Sequence, residues 1–132
     1  MNRFPFRAVL AVVLFSLLSA CQPGQPIRLD EAQNGETVLL QTGQSLIVSL
    51  KSNPSTGFGW YQAEASGPVL VMEGEPVFVA GEGAELAGAP GRQELTFVAG
   101  RPGAVTLKLV YGRAWATDAP AEKHYQLQVR VE

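Results

Sequence analysis

Few side chains in this 132-residue sequence could perform chemistry: it carries one cysteine, one histidine and twelve acidic residues. His124 begins the alternating run His124 to Val131 on its polar side, with no nucleophile placed beside it, so it reads as a solvated surface residue. Cys21 is the sole thiol and has no partner for an internal disulfide. Glu82 and Glu85 fall in a glycine-rich stretch, and neither lies in a recognisable metal or glycosidase pattern. Gly81, Gly83, Gly88 and Gly91 lack the following Lys-Ser/Thr and the helix that cradle a phosphate. No catalytic set, metal site or cofactor is expected.

Binding is the chemistry left open, and two segments have the residues for it. In Asn53-Pro54-Ser55-Thr56-Gly57, proline fixes one φ angle, Asn53 is driven toward extended backbone and can cap the turn, and Gly57 can take positive φ. Such a loop is stiffer than a Gly/Ser linker and loses less entropy on binding. By composition alone it is also an ordinary chain reversal. The second segment, Tyr111-Gly112-Arg113-Ala114-Trp115, places Arg and Trp where a strand passes into a loop, and these types are enriched at binding hot spots. The plain alternative is a Trp folded back over the edge of the structure.

The elements that must hold these loops are strands. Leu46, Val48 and Leu50 alternate with Ser45, Ile47 and Ser49, Leu95, Phe97 and Ala99 with Glu94, Thr96 and Val98, and Tyr125, Leu127, Val129 and Val131 with His124, Gln126, Gln128 and Arg130. Gly and Pro punctuate the runs, which predicts an all-β fold with strands over Glu36 to Gln41, Ser45 to Leu50, Phe58 to Glu64, Val69 to Val79, Gln93 to Ala99, Ala104 to Tyr111 and Glu122 to Val131. Pro76 interrupts the fourth run and marks an edge strand or a bulge. Gly81 to Gly91 reads as an exposed loop.

The N-terminus reads differently. Arg3 and Arg7, the apolar run Ala8 to Leu18 and the small residues before Cys21 have the pattern of an export signal over residues 1–20, too short to span a membrane comfortably. Leu18-Ser19-Ala20-Cys21 resembles the lipobox of bacterial lipoproteins, which implies acylation of Cys21 and an anchor that attaches without spanning. Gln22 at the next position implies the outer membrane, facing the periplasm. Residues 21–35 are expected as the lipidated cysteine and its tether, and residues 36–132 as the single folded domain. Removal of the signal leaves 8 basic against 12 acidic residues, which argues against a nucleic-acid partner.

Together the loop motifs resemble those of chagasin-type inhibitors of papain-like cysteine peptidases. Asn53-Pro54-Ser55-Thr56-Gly57-Phe58 matches an NPTTG-like loop, Gly88-Ala89-Pro90-Gly91 a glycine-rich loop before a Phe-containing strand, and Arg113-Ala114-Trp115 an R-P-W loop. The resemblance implies an immunoglobulin-like antiparallel β-sandwich of about seven strands, monomeric, with the three loops at one end. It also implies a papain-like peptidase as partner, the first loop over its catalytic cysteine with Ser55 and Thr56 nearest, the second along the non-primed side, and Arg113 and Trp115 on the primed side. Ser55 stands for the usual Thr, Pro90 for a frequent Gly and Ala114 for the Pro of R-P-W. A non-inhibitory envelope lipoprotein that binds a surface protein or glycan is the second reading, and an enzyme the third.

Overall fold

Period-two alternation produces two facing sheets. The computed structural model of the chain describes residues 24–81, 89–116 and 119–132. In chain order the strands are β1 Ile27–Leu29, β2 Thr37–Leu40, β3 Ser45–Ser52, β4 Gly59–Gln62, β5 Leu70–Met72, β6 Val77–Ala80, β7 Gly91–Ala99, β8 Gly103–Gly112 and β9 Lys123–Val131. One sheet has the order β1-β3-β7-β5 with β6 also on β7; the other runs β2-β9-β8-β4. Leu46, Val48 and Leu50 of β3 and Leu95 and Phe97 of β7 face Leu107 and Leu109 of β8 and Leu127 and Val129 of β9, all essentially without solvent contact. Full burial of each such side chain stabilises the fold by about 1.5–3 kcal/mol. This is the immunoglobulin-like sandwich expected from the alternation and from the resemblance.

The strand count and the pairing depart from expectation. The run Val69 to Val79 is two strands, because Gly74 takes φ 71° and Pro76 has no N–H to donate to a ladder. Both pieces pair antiparallel with β7, β5 along Phe97 to Ala99 and β6 along Gly91 to Glu94. Two pairings, β1 with β3 and β2 with β9, are parallel, so the sandwich is not antiparallel throughout.

The parallel pairs arise where the N-terminal segment crosses from one sheet to the other. β1 thus lies within residues 21–35, the span expected as lipidated cysteine and tether. Ile27 and Leu29 pack on the core, and Asp30 caps a 3-10 turn over Glu31–Gln33 in a reciprocal box with Gln33. The Tyr125 hydroxyl donates to the Asp30 carbonyl at 2.7 Å, and Asn34 accepts from the Gln126 N–H at 2.9 Å. Glu31 returns to the first sheet, accepting from the Lys51 N–H at 2.6 Å and pairing with Arg92 at 2.8 Å. A three-residue strand is too short to show alternation, which is why the sequence pattern missed it.

Register sets the two poles of the sandwich. Ser52 pairs with Gly91 and Ala80 with Gly91 in one sheet, while Gly59 pairs with Gly112 and Tyr111 with Lys123 in the other. The connections β3–β4, β6–β7 and β8–β9 thus all leave from one pole. At the opposite pole the turn after β2 is tied down by Gly43 N–H to Ala99 O at 2.7 Å and Thr42 N–H to Glu132 O at 2.8 Å.

Candidate functional site

The β3–β4 connection is a capped single turn of 3-10 helix, Pro54–Thr56. Asn53 is its N-cap in extended conformation, accepting from the Ser55 N–H at 3.2 Å. The Ser55 hydroxyl donates to Asn53 Oδ1 at 2.6 Å, and the Thr56 hydroxyl donates to the Asn53 carbonyl at 2.7 Å while accepting from the Phe58 N–H. Gly57 closes the turn at φ 77°, its N–H on the Pro54 carbonyl at 3.0 Å. Both hydroxyl protons are spent inside the loop. Outward, Ser55 and Thr56 present lone pairs and small surfaces.

Aromatic packing fixes this turn to the sandwich. Phe58 is half-buried and stacks on Tyr111 at 5.7 Å; Tyr111 meets Trp60 at 5.2 Å, and Trp60 meets Tyr125 edge-on at 6.5 Å. The Tyr111 hydroxyl accepts from the Asn53 N–H at 3.2 Å, and Trp60 Nε1 donates to the Lys51 carbonyl at 2.9 Å. The polar tips of Tyr111 and Trp60 thus tie to backbone near the base of the loop.

The β8–β9 connection leans on the first loop. Arg113 lies over the Phe58 ring, 4.7 Å from its centroid, and Nη2 reaches the Thr56 carbonyl at 3.3 Å. Trp115 is 70% exposed, yet its ring borders Gly57, where a Cβ would stand 2.9 Å from the indole Cη2. The indole is therefore neither core nor loose: it stands beside the tip of the first loop with its face in solvent. Ala114 is exposed between them.

The third expected loop divides. Gly88 lies outside the described residues, as do Cys21 and residues 1–20, the span expected as an export signal. Ala89 and Pro90 lead into β7, Pro90 exposed. Gly91 is not a loop residue: it is the buried first residue of β7, and a Cβ there would run into the Val79 carbonyl and the Phe78 ring.

Gln93 is the residue that sequence reasoning missed. It shares the inward parity of Leu95 and Phe97, and its side-chain amide crosses between the sheets to cap the free edge of β4. Oε1 accepts from the Trp60 N–H and Nε2 donates to the Trp60 carbonyl, both at 2.8 Å, and the buried Ser52 hydroxyl donates to the same oxygen at 3.3 Å. A polar residue on the apolar side of an alternating run was the available signal.

Among the described residues, nothing at this pole brings reacting groups together. A groove of about 650 Å³ beside Arg113, floored by Phe58, Tyr61 and Tyr111 and edged by Glu122 and Lys123, holds no nucleophile with a base. His124 is exposed on β9, and no group of three or more His, Cys, Asp or Glu that could hold a metal occurs among the described residues.

An immunoglobulin-like sandwich that gathers braced loops and an exposed Trp at one pole defines a loop-presenting binding protein. The chain belongs to the chagasin family of peptidase inhibitors, family I42, whose model matches residues 39–129. It is similar to Amoebiasin-1 of Entamoeba histolytica, 28% identical over 105 residues that cover 79% of this chain and 98% of the relative. It is similar also to Chagasin of Trypanosoma cruzi, 28% identical over 109 residues covering 79% and 96%. In fold it resembles the crystal structure of the cysteine protease inhibitor EhICP2 from Entamoeba histolytica, with a TM-score of 0.71 at 21% identity over 82% of this chain and 96% of that one. The family is one of inhibitors, not enzymes, and the non-inhibitory reading is not favoured.

Proposed function

We propose that the domain inhibits papain-like cysteine peptidases reversibly, by seating its three-loop pole in the active-site cleft without forming a covalent bond. The observation that carries this reading is the dense hydrogen bonding of residues 53–58, both within the turn and to Tyr111 and Arg113 behind it. A turn braced in this way enters a cleft already ordered, so little entropy is lost on binding. It also resists the extended conformation a peptidase cleaves, since extension would break the Asn53 cap and both hydroxyl bonds. Ser55 and Thr56 have amide and carbonyl oxygens as partners and no base, so neither is activated to attack a thiolate or a carbonyl.

Ser55 and Thr56 would rest at the catalytic Cys–His pair, offering lone pairs and no hydroxyl protons. Arg113, Ala114 and Trp115 would cover one side of the cleft, with the indole as a broad rigid anchor. Gly88, Ala89 and Pro90 would follow the other side; Pro90 has no N–H to give, so a strand-like ladder there would lean on carbonyls. Three loops on one pole suit a standard interface of roughly 800 Å² per partner. Titration of the folded domain against a panel of papain-like enzymes tests this: activity should fall to zero reversibly, and no loss at micromolar inhibitor would end the proposal.

The lipoprotein form is part of the same proposal. Acylation at Cys21 after removal of residues 1–20 would hold the inhibitor on the outer membrane, facing the periplasm. Lipobox spacing and the lone cysteine support it. The mass of the N-terminal peptide isolated from membranes is the measurement, and an unmodified thiol would refute it.

A further inference from the structure

Two relationships fix where the chain enters the sandwich. β1 is parallel to β3 with Ile27 opposite Leu46, next to the start of β3, whereas the Asn53 loop leaves from its other end. Just before β1 the chain is pinned at that same far pole: Gln44 Nε2 donates to the Gln25 carbonyl at 2.9 Å, and Gly24 sits so close to the Gln44 side chain that a Cβ would stand 2.9 Å from Nε2. Gln44 is itself locked, its Oε1 accepting from the Gln41 N–H at 2.9 Å. The eight residues of β3 separate the poles by about 25 Å at a rise of roughly 3.3 Å each.

From this we infer that the N-terminal attachment and the inhibitory loops occupy opposite poles, so that an anchor at Cys21 turns the turn-bearing pole of Gln41 to Gln44 and Gly100 to Gly103 toward the lipid surface and the three loops away from it. Cys21 is three residues from Gly24 and so within about 11 Å of it at full extension. That reach is less than half the separation of the poles, and the loops cannot swing down to the bilayer unless the whole domain lies on its side. The anchored inhibitor is then open to soluble peptidases arriving from the aqueous side. A peptidase domain held flush with the same membrane is out of its reach. This rests on the proposed inhibitor and anchor, and it adds their relative direction.

The chain from Cys21 keeps β1 to β9, and its single thiol can be coupled to a maleimide lipid in vesicles, which replaces natural acylation. The only tryptophans, Trp60 and Trp115, both lie toward the loop pole and serve as depth reporters with brominated lipids. Their emission is expected to stay unquenched, while an Arg101→Trp variant, placed in the opposite turn, gains a component that is quenched. Papain added outside should be inhibited by coupled and free protein with constants equal to within about twofold, a free-energy difference well under 1.4 kcal/mol. Quenching of the native tryptophans, or inhibition lost by at least about tenfold on coupling and recovered in detergent, would overturn the inference. If free protein also fails to inhibit, the inhibitor reading falls while the quenching still reports direction, and the mass of native Cys21 tests acylation separately.

Discussion

The indole of Trp115 occupies the space where a side chain at Gly57 would begin, with Cη2 2.9 Å from the site of a Cβ. One glycine therefore serves two loops, closing the Asn53 turn through its φ of 77° and admitting the ring that stands beside it.

Gly57→Ala tests that double role. The left-handed conformation costs an alanine about 1–2 kcal/mol, and the methyl displaces the indole. Gly43, at the other pole, has φ 88° and open space, so Gly43→Ala carries the backbone cost alone. Both variants should lose a similar amount of thermal stability, and only Gly57→Ala should weaken inhibition, by at least about tenfold. Equal inhibition constants for the two would separate Gly57 from the binding surface.

Trp115→Ala should leave the melting temperature nearly unchanged, since 70% of the residue is exposed. As an aromatic anchor its loss should weaken peptidase binding by about 2 kcal/mol or more. A thermal scan reads the first and calorimetric titration the second, and unchanged affinity would remove Trp115 from the interface.

Gln93→Leu keeps volume in the sandwich but strands the Trp60 N–H and carbonyl that the amide now satisfies. An unsatisfied buried polar group costs about 1–3 kcal/mol, so the urea midpoint should fall clearly. The near-ultraviolet circular dichroism of Trp60 should also change, because the β4 edge would be free to shift. A midpoint equal to the parent would mean that the bridge contributes nothing net.

Two groups near the N-terminal crossing give opposite pH limbs. Burial among the carboxylates of Asp30, Glu31 and Glu36 pushes the Tyr125 phenol up to about 12 from 10.0. Its contribution to stability is complete below pH 10 and is lost as the pH rises toward 12. Partial burial by itself would raise the Glu31 carboxyl, but the bonds from Arg92 and the Lys51 N–H outweigh it and hold it below its ordinary value of 4.5. That contribution is present above pH 4.5 and is lost as the pH falls below that value. Tyr125→Phe should flatten the alkaline limb of stability against pH, and Glu31→Gln the acid one; a limb unmoved by its substitution would clear that residue.

What was legible depended on whether a residue's role is local. Leu46, Leu95 and Leu127 announced their burial because the two-residue period of a strand is a property of neighbouring positions. Asn53 to Gly57 announced a turn because Asn, Pro and Gly each restrict their own backbone. The count of strands failed at Gly74 to Pro76 and at Ile27 to Leu29, where pieces of three or four residues carry too little pattern and pairing partners decide.

The sequence by itself determined the all-β class, the inward faces of the long strands, the tight turn at Asn53 and, through its motifs, the family resemblance. Only the tertiary structure decided that Gln93 would satisfy the backbone of Trp60, that Arg113 and Trp115 would settle on Phe58 and Gly57, and that the chain would enter at the pole away from its loops. These depend on register and on contacts between residues far apart in the chain. Strand pairing fixes them all at once, and no local pattern encodes them.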